Sequence, residues 1–116
     1  MPKALTLSFP LIVACVMPSS AQQAERTRYW NLTGATITQF YLAPAGTDAY
    51  GADQTVNDKD GTVDHDERLR ITDARSGRYD VKFEDDSGRV CIVKDMAVKA
   101  GDVFSIRQAQ LTNCRK

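Results

Sequence analysis

Beyond position 27, apolar and polar residues alternate with the two-residue period of β-strands, and no window of a dozen residues carries a convincing helical period. Arg28-Tyr29-Trp30-Asn31-Leu32-Thr33 mixes aromatic and β-favouring residues and stops at Gly34, which predicts a strand over 28–33. A second strand is predicted over 36–42, ended by Pro44 and Gly46. The 67–72 run alternates strictly, with Leu69 and Ile71 turned inward, and 79–84 alternates again with Tyr79, Val81 and Phe83 on the buried side. Asp85-Asp86-Ser87-Gly88 predicts a hairpin turn into a strand over 89–94. The 96–99 and 103–107 runs read as a last pair around Ala100-Gly101-Asp102.

The seven glycines punctuate these runs rather than interrupt them, as turn residues do. About seven short strands at roughly 8–12-residue spacing predict an all-β chain folded as a single antiparallel β-sandwich of Ig-like or transthyretin-like type. The least regular stretch, 44–66, is longer than an ordinary hairpin connection, and long loops of compact domains often carry function.

The N-terminal residues read as an address. Lys3 supplies a positive start, 4–17 is free of charge, and Ser19 and Ala21 place small residues for cleavage after Ala21. The apolar run is shorter than the about 20 residues that cross a bilayer, so no membrane span is expected. Ile12-Val13-Ala14-Cys15 offers a rival, a lipobox that would place a lipid anchor on Cys15. The expected organisation is a signal peptide over 1–21, a flexible lead-in over 22–27 and one domain over 28–116, in a periplasmic or secreted protein. With 15 Lys+Arg against 15 Asp+Glu, the chain lacks the diffuse positive field that nucleic-acid binding uses.

Export changes how the cysteines are read. Beyond the targeting segment only Cys91 and Cys114 remain, and two cysteines in an oxidising compartment usually pair. A metal pair would want further Cys or His nearby, and a reactive thiol would leave its mate unexplained. A disulfide would pin the 108–116 tail to the body.

The chemistry-bearing segment is 58–67. Aligned on Gly61, it resembles a calcium loop in which Asp58, Asp60, Asp64 and Glu67 supply carboxylates and Thr62 its carbonyl. Val56 stands where the first ligand should be, and strands rather than helices flank the segment. The competing reading is a solvated acidic turn, since charges spaced along an exposed loop repel only weakly in water. His65 is the sole histidine and has no evident catalytic partners, and no nucleophile-elbow, zinc-protease, phosphate-loop or dinucleotide motif occurs. Tyr50, in the long connection beside Gly51, is a candidate contact residue. Arg68, Arg70, Arg78, Lys82 and Arg89 are expected on strand exteriors, interleaved with Asp80 and Glu84.

Gly77-Arg78-Tyr79-Asp80-Val81, Ser87-Gly88-Arg89 and Val98-Lys99-Ala100-Gly101, with Phe104 and Ile106, are similar to the closing half of transthyretin-like and carboxypeptidase-regulatory-like sandwiches. Tyr79 itself resembles a tyrosine corner. Asn31-Leu32-Thr33-Gly34, Tyr41-Leu42-Ala43-Pro44-Ala45-Gly46, Tyr50-Gly51 and Asn57-Asp58-Lys59-Asp60-Gly61, with the two cysteines, resemble an uncharacterised family of small exported proteobacterial β-sandwich proteins. That resemblance implies secretion and a sandwich and lends no catalytic residues. The expectation is an exported, non-catalytic binding or accessory module without a cofactor, whose partner is a protein or small ligand of the cell envelope. The alternatives are a calcium-stabilised module using the acidic loop and an inhibitor that presents the 44–66 loop to an envelope enzyme.

Overall fold

The computed structural model describes residues 26–116, so the signal peptide, the Cys15 lipobox and all but the end of the lead-in lie outside the described residues. Within them the chain is all-β. Seven segments form strands: β1 (Arg28–Leu32), β2 (Ile37–Pro44), β3 (Arg68–Arg70), β4 (Gly77–Asp85), β5 (Val90–Val98), β6 (Val103–Arg107) and β7 (Cys114–Arg115). They hydrogen-bond into two sheets, one ordered β3-β1-β6 and the other β2-β4-β5-β7.

Alternation does the folding work. Tyr29, Leu69, Phe104 and Ile106 from the first sheet join Phe40, Leu42, Val81, Phe83, Cys91 and Val93 from the second in one core. The Tyr29 ring stacks on Phe40 at 4.4 Å between centroids and meets Phe104 at 5.6 Å, so aromatic contact crosses between the sheets. Burial pushes the Tyr29 phenol far above its usual pKa.

The pairing departs from the sequence reading in three places. β6 runs parallel to β1 rather than forming a hairpin with 96–99, so the fold is not wholly antiparallel. The expected strands over 89–94 and 96–99 are one strand, β5, which passes through Asp95 at φ 58°. Asp80, expected on an exterior, is buried. Its carboxylate accepts from the amides of Gly46 and Asp95, both at 3.0 Å, and so ties the turn after β2 to the irregularity in β5. Val81 and Phe83 keep their inward places, so Asp80 is buried by the Gly46 turn and by Asp95, where the β4–β5 register shifts between Tyr79 and Val81.

Two devices close the sides of the stack. Cys91 and Cys114 form a disulfide that holds β7 on β5. On the opposite side, the 44–66 connection is stitched to both sheets. The Phe40 amide donates to the Asp53 carboxylate, the Gly51 amide to the Leu42 carbonyl, and Gln54 exchanges hydrogen bonds with the backbone of Thr72. Val63 bridges Ile37 on the β2 edge. Asn31 completes the seal from a fully buried position: its amide donates to the Ala35 and Val63 carbonyls, and its oxygen accepts from the Thr33 amide and hydroxyl. The Tyr79 hydroxyl donates to the Arg75 carbonyl and accepts from the Arg75 amide, four residues upstream.

Candidate functional site

The acidic segment folds as a series of local turns rather than a cage. The Asp58 carboxylate accepts from the Asp60 amide at 2.9 Å, and Glu67 accepts from the Asp64 amide at 2.8 Å. Asp64 accepts from the Thr36 hydroxyl at 3.1 Å, while Asp60 is exposed. Asp58 and Glu67 are brought together. Partial desolvation acts to raise Asp58, but its hydrogen bond with Glu67 and the amides of residues 60–62 outweigh it and hold its pKa below the usual value. The Asp64 amide favours the Glu67 carboxylate, yet desolvation, the facing Asp58 and the charge of Asp64 together push Glu67 up. Thr62 is half-buried, and Val56, at the place of the missing first ligand, is 76% exposed. Among the described residues no group of three or more His, Cys, Asp or Glu side chains is placed to hold a metal ion.

His65 is exposed and sets its Nδ1 2.8 Å from the Thr33 carbonyl. Tyr50 lies on the outer face of the second sheet, where the Lys82 ammonium sits 4.7 Å from its ring centre and 5.5 Å from that of Tyr41. Burial, followed by the charges of Asp80 and Asp48, raises the Tyr50 phenol. The candidate contact residue is thus half-buried against its own sheet through a lysine. A shallow recess of about 190 Å³ beside it is lined by Gln39, Tyr41, Lys82 and Glu84.

The outer face of the other sheet is different. Inward positions Tyr29, Asn31, Leu69, Phe104 and Ile106 are buried, so alternation turns Arg28, Trp30, Leu32, Arg68, Arg70, Val103, Ser105 and Arg107 outward. None of those outward positions is Asp or Glu. The register sets Arg70 beside Arg28 and Val103 in one row, Arg68 beside Trp30 and Ser105 in the next, and Leu32 beside Arg107 in a third. The Arg68 guanidinium lies 4.9 Å from the Trp30 ring centre. The Trp30 indole N–H donates to the Asp66 carboxylate at 2.9 Å, and that bond fixes the ring across the face. Asp66 holds φ 69°, a left-handed conformation that Asp adopts more readily than most residues.

The sequence reading had mixed Arg68 and Arg70 with Asp80 and Glu84. They belong to separate sheets, and the carboxylates lie on the other one. The signal for the patch was present in the spacing Arg28-x-Trp30, Arg68-x-Arg70 and Val103-x-Ser105-x-Arg107, but only the parallel β1–β6 pairing assembles it. No protein-family model, curated protein or solved structure matches the chain. No helix among the described residues is long and apolar enough to cross a membrane.

Proposed function

We propose that the protein is an exported, non-catalytic binding or accessory module of the cell envelope, an Ig-like or transthyretin-like β-sandwich that meets its partner through the outer face of β3-β1-β6. The observation that carries this reading is the concentration of four arginines around Trp30, with no acid at the outward positions, in a chain whose 15 Lys+Arg and 15 Asp+Glu balance as a whole. Like charges opposed across a ladder repel, and a partner of opposite charge would account for the arrangement.

Retention of cell-envelope fractions on immobilised protein tests the reading. The wild-type protein retains one fraction, and Arg68→Glu/Arg70→Glu, shown to be folded by its melting curve, releases it. Equal retention by both proteins, or none by either, overturns it.

A further inference from the structure

We infer that the partner of the arginine face is an acidic polysaccharide, an inference that rests on the binding-module reading above and names its ligand class. All four cations at the outward positions are arginines, while the lysines Lys59, Lys82, Lys94, Lys99 and Lys116 lie elsewhere. A guanidinium presents a planar fork that matches a carboxylate or sulfate with two parallel hydrogen bonds, which a lysine cannot do. Among the described residues no ion pair engages Arg68, Arg70 or Arg107, whereas Arg78 and Arg89 are paired with Asp95 and Asp85. Arg68 and Arg70 follow one another along β3, and Arg107 stands on β6 beyond β1, so the guanidinium groups are spread from one edge of the three-stranded sheet to the other.

The surroundings select among polyanions. Asp66 and Glu67 lead directly into Arg68, and the Asp66 carboxylate, bonded to the Trp30 indole, sets a negative border on the face. Duplex DNA, with one charge per about 1.7 Å, would press its phosphates against that border. An acidic polysaccharide carries its charges a sugar or more apart and offers apolar ring faces between them. A bilayer asks for free apolar anchors, yet Trp30 is half-buried with its N–H already bonded to Asp66. The large apolar side chain that stands well exposed on this face is Val103, at 46%.

Affinity electrophoresis and calorimetry on the full mature chain test the inference, with polygalacturonate as the probe, dextran as the neutral control, and duplex DNA and anionic phospholipid vesicles as competing classes. Polygalacturonate binds, weakens as salt is raised, and loses about tenfold or more in affinity with Arg68→Gln/Arg70→Gln. Lys94→Gln/Lys116→Gln removes the same charge elsewhere and leaves binding unchanged. The inference is overturned if polygalacturonate fails to bind, if both double variants bind alike, or if DNA or vesicles bind more tightly. Should the envelope fraction still be retained by wild type and released by the Arg68/Arg70 variant, only the ligand class is wrong. Should that retention fail as well, the face is not a binding surface.

Discussion

Arg28 and Arg70 stand directly opposite each other across the antiparallel β1–β3 ladder, two cations where a cross-strand ion pair would fit. Replacing Arg70 with threonine, a good strand former, should raise stability by about 0.5 kcal/mol and at the same time weaken polyanion binding. Urea unfolding at low and high salt checks it, because the gain should shrink as salt screens the repulsion.

Asn31 is a buried polar hub at a position where alternation calls for an apolar side chain. Asn31→Leu fills similar space but leaves the Thr33 amide without its acceptor and takes one donor each from the Ala35 and Val63 carbonyls. The cost should be about 3–5 kcal/mol, well above that of an ordinary surface change. A midpoint in urea close to that of wild type would show that the connection is not held from β1.

The Cys91–Cys114 bond closes a loop across a separation of 23 residues. Cys91→Ala/Cys114→Ala should lower stability by about 3 kcal/mol through chain entropy, with a further loss from the packing of buried Cys91. Comparing this variant with the reduced wild-type protein separates the two contributions.

Asp85 is buried at the head of the β4–β5 hairpin and accepts from the amides of Ser87 and Arg89, the Ser87 hydroxyl and the Arg89 guanidinium. Burial acts to raise its pKa, but those hydrogen bonds outweigh it and lower the value. A carboxylate depressed in the folded state stabilises above its unfolded pKa, and that stability disappears as pH falls through the lower folded one. Wild type should therefore lose stability on acidification below about pH 4, and Asp85→Asn should lose less over the same interval.

Glu67 has the opposite sign. Its raised pKa means the ionised form is disfavoured by folding, so its contribution is present below the unfolded pKa and is lost as pH rises through the folded one. Glu67→Gln keeps an acceptor for the Asp64 amide and removes the repulsion with Asp58. Its melting temperature should exceed that of wild type near neutral pH, with the difference closing in acid.

Alternation identified the strand segments because each sheet buries one side, and the periodicity at Leu69, Ile71, Val81 and Phe83 records that burial directly. The sheets were harder to read. Nothing in Ala100-Gly101-Asp102 distinguishes a hairpin from a crossing, and here Val98 and Phe104 enter the core from separate sheets. Asp95 disguised the continuity of β5, since a left-handed residue inside a strand leaves no mark on hydrophobic spacing. The acidic motif was visible as a string of ligand types, whereas its turns direct Asp58 and Asp64 to different partners. The arginine face draws on three segments far apart in sequence, and only pairing brings them together.

Trp30 is the chain's single tryptophan, and it sits at the middle of that face beneath Arg68. Nature has therefore placed an intrinsic fluorophore where occupancy would alter its surroundings. Titration with unlabelled polymer should shift or quench its emission without any engineered dye.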